Sequence, residues 1–200
     1  AIYHLEAKMV SRGAGRSAVA AAAYLSCSRM LNEYDGVQHD YTRKQGLGWR
    51  QVFLPATAPA EWQDRETLWN AVEETETAKD SRLAREFVAA LPIELSREEQ
   101  IQLLQDFIKE QFVADGMCAD AAIHDPYPPG HNPHAHILLT VRPLDEQGRW
   151  RYKTEKEYQS KQKHNSYSQN QPRRHIFLIQ PITSAPRFYQ RNSRSLNIRN

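Results

Sequence analysis

His134 and His136 stand two residues apart in the stretch NPHAHILLT, at the head of the apolar run Ile137-Leu138-Leu139. Such a run reads as a β-strand, in which residues i and i+2 project to the same face. Both imidazoles then point one way, while Ile137 and Leu139 pack on the other side. A third histidine, His124, closes the preceding apolar segment Met117–Ile123, and the Pro- and Gly-rich stretch 125–133 can turn the chain back antiparallel. That pairing gathers three neutral nitrogen donors around one point. Three imidazoles with coordination positions left open describe a catalytic divalent-metal centre better than a structural one. His131 is an alternative third donor but reads as a solvent-exposed loop residue. The plainer alternative is a set of strand histidines that are only partly buried and hydrogen-bonded.

The rest of the pattern supplies a scaffold for this pair of strands. Ile2–Val10 alternates and predicts a first strand. A basic loop, Ser11–Arg16, follows, and Ser17 caps a helix expected to run to Leu31 through the alanine-rich segment 18–23. Val37–Gln45 and Arg50–Leu54 read as two short strands joined across Gly46-Leu47-Gly48. After the linker Pro55–Pro59, Glu61–Thr77 is an amphipathic helix with Trp62, Leu68, Trp69 and Val72 inward and Glu73, Glu74 and Glu76 on a solvated face. Leu83–Leu91 alternates as a further strand. Ser96-Arg97-Glu98-Glu99 is a capping box that opens a helix to about Val113. Met117–Ile123 and Pro133–Val141 complete the sheet, and 144–157 is an exit segment with a turn at Glu146-Gln147-Gly148. The expected class is α+β, a central antiparallel sheet flanked by helices.

Charge is divided unevenly along the chain. Residues 1–145 carry 14 basic against 21 acidic side chains, residues 146–200 carry 12 against 3, and no acid follows Glu157. The expected division is therefore a folded domain over 1–157 and a basic, largely disordered tail over 158–200, broken only by the apolar patch Ile176–Ile182. A basic tail on an acidic body suits a polyanionic partner. No run of about 18 apolar residues suggests a membrane span, and no signal peptide is recognised. Cys27 and Cys118 form no C-x-x-C pair and read as reduced thiols. Together with Ala1, taken as the residue left after initiator Met removal, these features predict a soluble cytoplasmic protein.

Within the body, residues 1–50 hold 7 basic against 4 acidic side chains and are the segment expected to face an anion. The candidates are Lys8, Arg12 and Arg16 near the basic loop, then Tyr41, Arg43, Lys44, Trp49 and Arg50 around the glycine turn. Aromatics interleaved with cations suit single-stranded nucleic acid, by stacking and phosphate pairing. Ordinary hairpins are also rich in Tyr and Trp. Tyr24 lies within the alanine-rich helix, sharing its face with Ala20, Ala21, Cys27 and Ser28. Two readings stand for it: a tyrosine packed on the sheet, or a nucleophilic phenol given room for a large substrate.

With those pieces in place, the segments AIYHLEAKMVSRGAGRSAVAAAAYLS, SRLAREFVAALPIEL and IHDPYPPGHNPHAHILLTVR, in that order, resemble the MobA/MobL family of plasmid mobilisation relaxases, which are HUH endonucleases. The resemblance anchors residues 1–145; it carries no role onto the chain after about residue 158. It implies that Tyr24 is the nucleophile and that His124, His134 and His136 ligate one divalent metal ion, Mn or Mg, or Zn, Co or Ni. Glu86 falls on an acidic position of the active centre, either accepting the tyrosine proton or orienting a metal-bound histidine. Its plainer alternative is a strand carboxylate paired with Arg82 or Arg85. The implied function is nicking of one strand at a plasmid transfer origin through a covalent 5′-phosphotyrosine at Tyr24, then rejoining. The implied partners are single-stranded DNA at that origin, accessory mobilisation proteins and a coupling protein, in the bacterial cytoplasm and without a membrane. A rolling-circle replication initiator has the same chemistry, though the early position of Tyr24 argues for mobilisation. A metal-dependent nucleotide hydrolase or transferase of the histidine-triad type wants a further histidine where Leu138 stands. A plain nucleic-acid-binding module, with structural histidines, is the remaining alternative.

Overall fold

The computed structural model describes residues 5–125 and 133–153. Its core is one antiparallel sheet built from β1 (Leu5–Ser11), β4 (Leu47–Phe53), β5 (Arg82–Ala90), β6 (Ala119–His124) and β7 (His134–Thr140). The spatial order is β1-β5-β7-β6-β4, which puts the last two strands of the chain in the middle. Among the described residues three α-helices accompany it: α1 (Ala18–Ser26), α2 (Arg65–Thr75) and α3 (Arg97–Gln111). A separate two-stranded hairpin joins β2 (Arg29–Asn32) to β3 (Val37–Asp40). The α+β expectation holds. Among the described residues no helix is long and apolar enough to cross a membrane.

Strand alternation divides the apolar residues between two faces. Ala119, Ala121, Ile123, Ala135, Ile137 and Leu139 project to the α3 side, where Leu104 and Ile108 of the helix cover them. Val10, Val52, Ala84, Ala122 and Leu138 project to the opposite side, beneath α1 and α2. The histidines share this second face. α3 begins with the expected capping box: Ser96 accepts from the Glu99 amide and the Glu99 carboxylate from the Ser96 amide.

Several boundaries depart from the sequence expectations, each for a physical reason. The first helix stops at Ser26, because Cys27 takes a left-handed conformation (φ 52°) that closes the helix. Arg29–Asn32 then alternates exposed and buried as strand β2, with Met30 and Asn32 inward. The segment 37–45 is strand only to Asp40 and pairs with β2, not with 50–54; β4 instead pairs with β6. The helix expected over Glu61–Thr77 is a 3-10 turn, Ala60–Gln63, and then α2, restarted by Asp64 as N-cap.

The expected acidic face of that helix is also only partly solvated. Glu73 is 1% exposed and Glu76 3%, while Glu74 remains outside. Burial of both carboxylates is offset by partners: Arg12 and the Ala18 amide on Glu73, Arg142 and Lys153 on Glu76. Asp120, fully buried on β6, is likewise held by Nε and Nη2 of Arg65, at 2.6 and 2.8 Å, and by the Trp69 indole. These pairs bolt α2 to α1, to the sheet and to the exit segment. Ile2–His4, His131 and the tail 158–200 lie outside the described residues.

Candidate active site

β6 ends on His124 and β7 begins on His134, and the register pairs these two residues directly, with Ala122 opposite His136. The three rings meet at the sheet end, with centroids 4.8, 5.1 and 5.8 Å apart. A close backbone contact between two segments closes the corner beside them. The Asp125 amide donates to the Gly46 carbonyl at 2.7 Å, and Gly46 has φ +87°. A Cβ there would lie 2.8 Å from the Asp125 carbonyl oxygen, so only glycine fits, and β4 can start opposite His124.

The environments of His124 and His136 fix which nitrogen of each ring is free. His124 is 4% exposed, and its Nε2 donates to the Leu25 carbonyl at 2.7 Å, leaving Nδ1 as the lone-pair nitrogen. Burial pushes its pKa down to about 4, so the ring is neutral at physiological pH. Nδ1 of His136 lies 3.3 Å from the Glu86 carboxylate, which leaves Nε2 of that ring facing inward. The hydrogen bond from His136, reinforced by Arg16 at 3.2 Å, holds the Glu86 carboxyl below the usual carboxylate range against the opposing effect of burial. One donor atom from each of the three histidines lies within 4.8 Å of the others. Three imidazole donors gathered in this way, with His124 neutral, fit a divalent metal ion by the chemistry of the donor set.

Tyr24 sits in the last turn of α1, 44% exposed, with the Tyr41 ring edge-on at 5.3 Å. Lys44 connects it to the histidines. The ammonium is 4.0 Å from the Tyr24 ring centroid and 3.0 Å from His124 Nδ1, and it donates to the Tyr24 carbonyl at 3.3 Å. Arg50 donates to the Ser26 carbonyl. Three successive carbonyls at the end of α1, those of Tyr24, Leu25 and Ser26, therefore accept from Lys44, His124 and Arg50. A helix C-terminus leaves such acceptors free and favours cations near them. At its other end the helix is tied to α2, since Glu73 accepts from the Ala18 amide at 2.6 Å.

The remaining sequence candidates divide by what they touch. A cleft of about 720 Å³ runs from Tyr24, Glu86 and His136 past Ala20 and Ala21 of α1, and Lys8 and Arg16 line it. Lys8 also pairs with Glu6 at 2.8 Å. Arg43 is exposed. Arg12 is committed to structure: it donates to the Glu73 carboxylate and to the carbonyls of Glu73, Glu76 and Ala78. Trp49 is on the opposite face of the sheet from the histidines, against Phe53 on the α3 side, and does not join Tyr41 in one strip. Tyr34 and His39, which sequence reasoning passed over, also line the cleft. Their contribution depends on β2 pairing with β3, which the mistaken helix end at Leu31 concealed.

The fold and the sequence as a whole are similar to those of known proteins. A solved chain described under "Molecular Basis of Vancomycin Resistance Transfer in Staphylococcus aureus" matches with a TM-score of 0.71 and 35% identity, over 83% of this chain and 86% of that one. The conjugal transfer protein TraA of Rhizobium radiobacter is 45% identical over 158 residues, 74% of this chain and 14% of its own length. The probable mobilization protein MobA of Bifidobacterium longum is 43% identical over 145 residues, 72% of this chain and 26% of its own length. This chain thus spans only a small part of these curated relatives. By sequence this chain is similar to proteins named for conjugal transfer and mobilization. The MobA/MobL family model matches residues 16–193, past the point where the sequence resemblance stops, and the chain belongs to that family.

Proposed function

We propose that this domain is a relaxase that nicks and rejoins one DNA strand at a plasmid transfer origin. The observation that carries the reading is Lys44, whose single ammonium touches both Tyr24 and the lone-pair nitrogen of His124. Tyr24 and the three-histidine cluster are therefore neighbours across one ammonium, which supports a scissile phosphate held by both. When bound, a divalent ion on His124, His134 and His136 supplies positive charge to the nonbridging phosphate oxygens and to the departing 3′-oxygen.

The chain's own groups do the rest. Tyr24 Oη attacks phosphorus, a P–O bond to tyrosine forms, and the P–O3′ bond breaks. The strand leaves as a 3′-hydroxyl after taking up a proton, and the phenol gives one up. The phosphotyrosine ester keeps the phosphodiester's bond energy, so a returning 3′-hydroxyl reverses the step. Glu86 keeps His136 in the tautomer that presents Nε2, which suits a positioning residue. Lys8 and Arg16 in the cleft supply phosphate contacts, and Tyr41 supports the nucleophile. Such a site admits only a single or locally melted strand.

Incubation with single-stranded transfer-origin DNA and Mn²⁺ or Mg²⁺ is expected to give a covalent protein–DNA adduct on denaturing gels. Tyr24→Phe is expected to give none. An adduct formed equally well by that variant would overturn the assignment.

A further inference from the structure

The cleft that leaves the catalytic centre ends at an aromatic platform. Its floor follows α1 from Tyr24 back through Ala21, Ala20 and Ser17. At 1.5 Å per residue this covers about 10 Å along the helix. At the far end stands Tyr34, in the turn of the β2–β3 hairpin and 52% exposed. The Arg12 guanidinium lies 3.8 Å from the Tyr34 ring centroid. Arg12 itself cannot shift easily. Its two Nη atoms are taken by a buried carboxylate, Glu73, at 2.7 Å and by backbone carbonyls of residues 73, 76 and 78. The hairpin is equally fixed: the Tyr34 amide donates to Asn32, whose own amide reaches Ser17, the N-cap of α1.

A half-open aromatic ring backed by an immobilised guanidinium loses little freedom when a flat group lands on it. Such preorganisation favours stacking. Lys8 and Arg16 line the same cleft as this ring and the catalytic centre, and as cations they suit phosphates of a connecting backbone.

We propose that Tyr34 is a stacking platform for a nucleobase of the single strand whose scissile phosphate sits at Tyr24. Arg12 serves it as a buttress and makes no DNA contact of its own. The platform holds the strand at a second point, a short run of nucleotides from the reaction, so that the phosphate is positioned by the strand on one side as well as by the site. This inference rests on the relaxase reading.

The test uses single-stranded origin oligonucleotides bound to the Tyr24→Phe protein, which avoids the covalent step. 2-Aminopurine is placed at successive positions on each side of the nick, one per oligonucleotide. One position is expected to be quenched on binding, and Tyr34→Ala is expected to abolish that quench and weaken affinity about tenfold. Tyr34→Phe and Tyr34→Trp are expected to keep both, since the hydroxyl is not needed. Arg12→Met is expected to weaken the quench without changing the salt dependence of binding, because no phosphate contact is lost. Unchanged affinity and quench in Tyr34→Ala would overturn the platform and leave the relaxase reading standing. Absence of the adduct in the wild-type protein would remove the relaxase reading whatever Tyr34 does.

Discussion

The ammonium of Lys44 lies 3.0 Å from Nδ1 of His124, on the one lone pair of that ring that a metal would use. A side-chain cation and a divalent ion therefore compete for the same nitrogen. Lys44→Met removes the competitor, and with it the repulsion between two nearby positive charges. Affinity for Mn²⁺ in the DNA-free protein is expected to rise by roughly tenfold or more. Titration calorimetry reads this directly, and an equal or weaker affinity would contradict the competition.

The histidines separate catalysis from binding. His134→Ala and His136→Ala are each expected to abolish adduct formation and to leave single-stranded DNA affinity within a few-fold, because phosphate and base contacts lie elsewhere. Retained cleavage by either variant would sink the three-histidine site.

Glu86 offers a test between its two roles. If it orients His136, Glu86→Gln is expected to weaken metal binding by about 10- to 100-fold. If it takes the tyrosine proton, metal affinity stays put and the pH profile of cleavage moves instead. The contact at 3.3 Å to His136 Nδ1 favours the first outcome.

Cys27 closes α1 in the left-handed region at φ 52°. Cys27→Gly relieves a conformation that costs an L-residue about 1 kcal/mol, so stability is expected to hold or rise slightly. Cys27→Val is expected to lose at least that much, because branching at Cβ worsens the clash. Chemical denaturation of the two variants decides the point, and a more stable valine variant would be incompatible with it.

Acid sensitivity is expected to run through Glu76. Burial alone raises its pKa, but hydrogen bonds from Arg142 and Lys153 outweigh this and hold it below the ordinary 4.5. As pH falls, the unfolded chain takes up this proton first. The stability contributed by the pair is thus present above the unfolded value and lost as pH drops through the lower folded one. Glu76→Ala is expected to cost about 3 kcal/mol at pH 7, since it strands two cations, and to flatten the loss below pH 5. An unchanged acid limb in urea titrations would argue against Glu76 as the group.

The parts of this site that were legible in the sequence are those fixed by short-range periodicity. Two residues of a strand share a face, so His134 and His136 had to converge, and the loop before them had to return His124 to their side. The capping box at Ser96 and Glu99 is equally local. What was hidden depends on pairing at a distance. Glu73 reads as surface because its partners, Arg12 and the Ala18 amide, are more than fifty residues away in the chain. Trp49 is near Tyr41 in sequence, but the register of β4 against β6 sends it through to the α3 side. Tyr34 carries no local signal, because nothing near it in sequence announces a guanidinium beneath its ring.

The three carbonyls that finish α1 give the site a common datum. Tyr24, the lone-pair orientation of His124 and the reach of Lys44 and Arg50 are all indexed to one helical turn. Lengthening that helix by a single residue would turn its terminus by about 100° and lose all three alignments at once. For the proposed transesterification the benefit comes during the pause, after the 3′ end has left and before it returns. With the DNA severed, no substrate strain remains to keep the reacting groups in line. The helix terminus acts as a jig that remembers the geometry of the broken bond, so rejoining needs only the arrival of the strand.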